Sequence, residues 1–297
     1  MTTAPDRERV AQRLQRSSAR NSYDPEVDID WSAPIPADRY AKPPQRCSLY
    51  GTRMWEELTE PERIRLSQQE VVSSVSSGIW FELILMQGLV RHVYNSDPTS
   101  EHAQYALTEI ADECRHSTMF GKAIAKMYGK PIGPSRVSRR AGRVFGALAG
   151  PTLIFAGALF VEELADGMQR EIMRDDTLQP LSRMVSRIHV TEEARHISYA
   201  KDELVRACAG LSRFQRANLK LWLAAMAYTA TQEFIHPKTY ATVGLDPRVA
   251  WRVAKDNPHW QATKIQWVRK AVALFEELDL IDGPGRRLWL AAGLLER

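Results

Sequence analysis

Two short segments of this 297-residue chain carry residue types and spacings suited to metal chemistry, Asp112-Glu113-Cys114-Arg115-His116 and Glu192-Glu193-Ala194-Arg195-His196. Each reads acid-Glu-x-Arg-His, and each falls inside a long helical pattern. Helix positions i and i+3 share a face, so Glu113 with His116, and Glu193 with His196, each aim an oxygen and a nitrogen at one point. Carboxylates can bridge two metal ions and change binding mode, while imidazole holds a redox metal without cancelling its activity. One Glu-x-x-His arises often by chance. Two of them, with the same preceding acid and the same arginine between, make a specific signal. The plain alternative is a pair of solvated helix faces bearing ion pairs.

Other positions fit the same chemistry. A metal-bound histidine usually donates its second N–H to a carboxylate, which fixes its tautomer. Asp112 and Glu192 are expected to serve the histidine of the opposite helix, with Arg115 and Arg195 neutralising them; surface i, i+3 pairing is the simpler reading. In ferritin-like dimetal bundles two further helices add one glutamate each. Glu82 is the only charge in the run GIWFELILMQGLV, where a carboxylate is costly to bury unless it gains a partner such as a metal. The run LIFAGALFVEELADGM ends in Glu162 and Glu163, which point about 100° apart. Phe155, Ala158 and Leu159 share the face of Glu162, which selects Glu162 as the ligand. His189 precedes Glu193 by four residues and His196 by seven, so a third nitrogen joins that face. Glu109 holds the matching place ahead of Glu113 and is a candidate outer carboxylate.

Helices are needed to hold these groups. The pattern predicts them over about 57–95, 97–129, 136–174 with a break at Gly150-Pro151, 179–210, 212–234, 247–255, 258–279 and 284–296. No segment alternates with period two, so strands should be nearly absent. The fold class expected is all-α: a ferritin-like antiparallel bundle with a dimetal site in its core and extra C-terminal helices. Residues 1–50 are polar and proline-containing, and read as an N-terminal arm, partly extended or disordered or else wrapping the domain; residues 51–297 are expected to form the ferritin-like domain.

Composition bounds the function. Hydrophobic residues make up 44% and charged residues 26%, ordinary for a globular protein, and the net charge is only +4. No long basic run interleaves with aromatics, which argues against nucleic acid as a partner. The apolar stretch 144–161 carries glycines and a proline and leads into two glutamates, so a buried helix is expected and not a membrane span. Three widely spaced cysteines and an N-terminus without an apolar core suit a reducing, cytoplasmic setting.

The ordered set Glu82, Glu113-x-x-His116, Glu162, His189-x-x-x-Glu193-x-x-His196 resembles the di-iron p-aminobenzoate N-oxygenase (AurF-like) family over roughly residues 50–240. Its third histidine is what ribonucleotide reductase small subunits, acyl-carrier desaturases and multicomponent monooxygenases normally lack. The resemblance implies two Fe ions, with Mn as a possible substitute, and O2 activation through a peroxo-diferric species. It also implies N-oxygenation of an arylamine or related amine, an electron donor, and a homodimer. Residues one turn from the ligands are the candidate substrate pocket: Gly78, Ile79, Leu85, Met86, Phe120, Phe155 and Leu159. One departure stands out. No Lys or Arg lies between Arg65 and Arg91 to meet a benzoate carboxylate, which leaves Arg170 and Arg187 as candidate anchors. The competing expectations are C–H hydroxylation of a lipid or natural product, an iron-storage or peroxide-scavenging bundle, and a radical-generating subunit built on Tyr199.

Overall fold

The computed structural model describes residues 6–296. Among the described residues twelve α-helices follow one another: α1 (Arg7–Arg20), α2 (Pro25–Asp28), α3 (Arg53–Glu57), α4 (Glu60–Tyr94), α5 (Glu101–Met127), α6 (Arg136–Leu148), α7 (Pro151–Arg174), α8 (Pro180–Ala209), α9 (Arg213–Phe234), α10 (Pro247–Asp256), α11 (Pro258–Glu277) and α12 (Arg286–Ala292). There are no strands among the described residues. The architecture is an all-α, ferritin-like bundle.

Local signals set the helix limits. The Glu62 carboxylate accepts the Thr59 N–H at 2.8 Å, closing the first turn of α4 as a capping box. Gly150 caps α7 and Pro151 opens it, splitting α6 from α7. Pro180 and Gly210 bound α8.

Four helices, α4, α5, α7 and α8, form the core that carries the site. The most extensive packing is α7 on α8 and α4 on α5. Close approach is enforced at two glycines. A Cβ on Gly88 of α4 would meet Ile154 Cγ2 of α7 at 2.6 Å, and one on Gly167 of α7 would lie 2.8 Å from the Trp267 backbone of α11. Helix α6 packs on α4, α9 and α11 on α7, and α12 on α9. By length and composition α4 is apolar enough to cross a membrane, yet 56% of its apolar window is buried inside the bundle. It is a core helix of this fold.

The segment before α3 is not simply extended: it contains a helix that wraps across the bundle. Residues 7–20 are helical and pack across α5 and α8. Val10, Ala11, Leu14 and Ser18 are the buried positions of α1. That stripe recurs at helical spacing, so α1 is amphipathic even though most of its residues are polar. Further on, Lys42 is fully buried against Glu70 of α4, at 2.5 Å.

Candidate metal centre

One side chain from α4 (Glu82), two from α5 (Glu113, His116), one from α7 (Glu162) and three from α8 (His189, Glu193, His196) converge in the bundle core. None is more than 5% exposed. Their ligand atoms form three overlapping groups: Glu113, His116, Glu193 and His196; Glu82, His116 and His189; Glu162, His189 and Glu193. Within each group the atoms lie within 4.8 Å of one another. All seven residues singled out in the sequence are therefore brought together. Glu163 points away and sits among Asp166, Arg170, Lys201 and Lys270.

The ring of groups behind the histidines has the crossed pattern. His116 Nε2 donates to Glu192 Oε2 across the helix pair at 2.8 Å, and His196 Nε2 donates to Asp112 Oδ2 at 3.2 Å. This leaves Nδ1 of both rings facing the glutamates: His116 Nδ1 lies 3.1 Å from Glu193, and His196 Nδ1 lies 3.1 Å from Glu113 and 3.0 Å from Glu193. Arg115 pairs with Asp112, and Arg195 reaches Asp112 at 3.3 Å. The segment after α1 completes this side. Tyr23 N–H donates to Glu192 at 3.0 Å, and the Asn21 carbonyl accepts from Arg195 at 3.0 Å. Nothing in the residue types of Asn21–Tyr23 signals that role, because it uses mainly backbone groups.

His189 is held the other way round. Its Nδ1 donates to Gln169 Oε1 of α7 at 2.7 Å, so Nε2 faces the site, 3.5 Å from Glu82 and 3.6 Å from Glu193. Gln169 escaped the sequence reading because neutral glutamines carry no motif. Glu109 is 1% exposed and lies outside the three ligand groups; burial, then the charges of Glu113, Glu193 and Asp112 against that of His196, raise its carboxyl well above the usual range.

Proton affinities report a surplus of carboxylates. Burial, reinforced by the neighbouring Glu193, Glu113 and Glu82, pushes Glu162 well up, and burial also raises Glu82. Burial alone would lower His116, but its hydrogen bonds to Glu113, Glu192 and Glu193 outweigh that and raise it. His196 is raised in the same way by Glu193, Glu109 and Asp112. Burial opposes ionisation of Asp112, yet the His196 hydrogen bond and the charges of His196 and Arg115 bring it down to about 2.

This donor set fits a pair of divalent cations. Four carboxylates and three neutral imidazoles carry four negative charges, which two such ions cancel. Glu82 Oε1, Glu113 Oε1, Glu193 Oε2 and His189 Nε2 are buried without a hydrogen-bond partner. Glu113 Oε1 is close to His196 Nδ1 yet makes no aligned bond to it, so proximity alone does not satisfy it. Oxygen and imidazole donors without thiolate suit iron or manganese; Cys114 is exposed, its thiol turned to Met86.

The family model for the p-aminobenzoate N-oxygenase AurF matches residues 4–279. The chain belongs to the AurF family. It is 32% identical over 218 residues to an uncharacterized protein of Mycobacterium bovis, covering 70% of this chain and 64% of that relative. An uncharacterized protein of Mycobacterium tuberculosis is 32% identical over 220 residues, covering 71% and 63%. The chain thus spans a little under two thirds of these relatives' length. AurF is an oxygenase family, and membership implies iron at a site of this composition.

A small cavity of about 20 Å³ adjoins the ligands. It is bordered by Glu82, Glu162 and His189, and by Ser74, Val75, Gly78, Phe120, Val161, Ala165, Met168, Gln169 and Phe234. Of the expected pocket residues, Gly78 and Phe120 border it; Ile79, Leu85, Met86, Phe155 and Leu159 do not, which corrects that expectation. The reason is directional. The cavity opens before Glu82 along α4 and after Glu162 along α7; Ile79 lies at that end but about 100° around α4 from Gly78, whereas Leu85, Met86, Phe155 and Leu159 lie at the other end. There Leu85 and Leu159 are core, Phe155 packs edge-on against Tyr199, and Met86 meets Cys114. Arg170 is paired with Asp166 and Arg187 is exposed, so neither candidate anchor reaches the cavity. A wider groove of about 520 Å³ between α1 and α5 reaches Ser22, Asp112 and Arg115 but none of the ligands.

Proposed function

We propose that this protein is a di-iron oxygenase that N-oxygenates a neutral arylamine or related amine. The observation that carries the reading is the third imidazole: His189 joins the two Glu-x-x-His pairs with its unpartnered Nε2 facing Glu82 and Glu193. Glu82, Glu113, His116, Glu162, His189, Glu193 and His196 would hold two irons. When bound, the irons supply the reduction of O2 and the transfer of oxygen, with electrons from a donor.

The rest is the work of the chain. Asp112 and Glu192 keep the protons of His196 and His116 on Nε2, so that Nδ1 stays available toward the site. Val75, Phe120, Val161, Met168 and Phe234 keep water from the cavity and receive an apolar ring. At about 20 Å³ the cavity takes one water-sized molecule, so a ring enters only as side chains such as Met168 and Phe234 swing aside. No Lys or Arg borders it, which favours substrates without a carboxylate. The same apolar lining supports a second reading, hydroxylation of a C–H bond.

The test is single-turnover reaction of the iron-loaded, reduced protein with O2 and paired substrates. Aniline-type amines should give hydroxylamine or nitro products and their carboxylated counterparts much less. Product carrying new C–OH groups alone would establish the hydroxylase reading instead.

A further inference from the structure

The three histidines are not backed alike. Behind His116 and His196 stand carboxylates, Glu192 and Asp112, each tied to arginines. An anion behind an imidazole fixes its tautomer and also makes the ring a stronger donor to a metal. Behind His189 stands only the neutral amide of Gln169. Its oxygen accepts the Nδ1 proton, so the tautomer is fixed, yet no negative charge raises the basicity of Nε2.

We infer that Gln169 is a positioning residue that makes the two halves of the metal centre unequal: it orients His189 and leaves it the weakest of the three imidazole donors. The metal held through His189 then binds second and leaves first. The inference rests on the metal-centre reading above. Three features of the site support it. Gln169 lies seven residues, two turns, beyond Glu162 on α7, so the two share a face toward His189. Both Gln169 and His189 border the cavity, whereas neither His116 nor His196 does. The His189 ring also lies between Phe120, at 4.9 Å between centroids, and His116 at 4.7 Å, so packing supports the direction that the amide sets, and the amide alone sets the donor strength.

The test is titration of the metal-free full chain with Mn(II), followed by calorimetry and by the EPR signal that separates an isolated ion from a coupled pair. The wild type should bind two ions in unequal steps. Gln169→Glu, which restores a carboxylate behind the ring, should tighten the second step by about tenfold. Gln169→Leu should weaken that step by about 10–100-fold. Both variants should leave the first step nearly unchanged. A merely structural role would shift both steps the same way, and the two substitutions would not act with opposite sign. Two equal steps in the wild type, or variants that move both steps together, would overturn the inference while leaving the dimetal reading intact. A wild type that binds no metal would overturn the oxygenase reading and this inference with it.

Discussion

Behind His116 and His196 the protein places carboxylates, guanidinium groups and the backbone of residues 21–23; behind His189 it places one amide and an apolar cavity. On the first side Asp112, Arg115, Glu192 and Arg195 hold one another, and α1 lies across them with a groove between it and α5. Buried atoms without partners occur on both sides, but the small cavity that borders Glu82, Glu162 and His189 lies on the second. The contrast teaches a division of labour. On the proposed function, the charged wall would hold the metal ligands in place, and the neutral wall would admit the molecules that react.

The comparison breaks most completely at Glu193, which belongs to ligand groups on both sides. Glu193→Ala should reduce bound metal to below one ion per chain by elemental analysis. Loss of a single ion would show that the two sides are independent. A smaller effect is expected from Asp112→Ala, which strips the charged wall from His196. Metal affinity should fall by about 10–100-fold, and the uncompensated arginines should cost about 3 kcal/mol in chemical denaturation.

The pH dependence of the metal-free protein sharpens the contrast further. His116 and His196 are raised above their usual values, so their contribution is fully present below about pH 6.5 and is lost as pH rises through the folded values. Raised Glu82 and Glu162 act in the same direction, their contribution fading as pH rises above the ordinary carboxylate range. Asp112 has the opposite sign. Lowered to about 2, its contribution is present above about pH 4 and is lost toward pH 2. Urea unfolding should thus show the metal-free protein less stable at pH 9 than at pH 6, with Mn(II) narrowing the gap. A flat profile would mean that the carboxylate surplus is not felt by the fold. The smallest effect belongs to Tyr23→Pro, which removes the N–H given to Glu192. It should cost about 1–3 kcal/mol and leave both metals bound.

Much of this was legible in the sequence because its signals are periodic or chemically costly. The seven converging residues follow from i, i+3 and i+4 spacing and from glutamates stranded in apolar helices, and the crossed roles of Asp112 and Glu192 follow from the repeated acid. What escaped was carried by groups without a motif. Gln169 is neutral, and residues 21–23 contribute mainly backbone. The cavity lies at the end of the bundle that periodicity cannot choose: a helical face names neighbours on both sides of Glu82, and only packing decides that Gly78 borders the open space while Leu85 is core.

The central claim, a seven-ligand centre holding two unequal irons, is tested most directly by iron analysis and Mössbauer spectroscopy of the protein loaded with 57Fe. Two irons per chain in two distinct environments are predicted. A chain holding no more than one iron, or iron far in excess of two per chain, would contradict it.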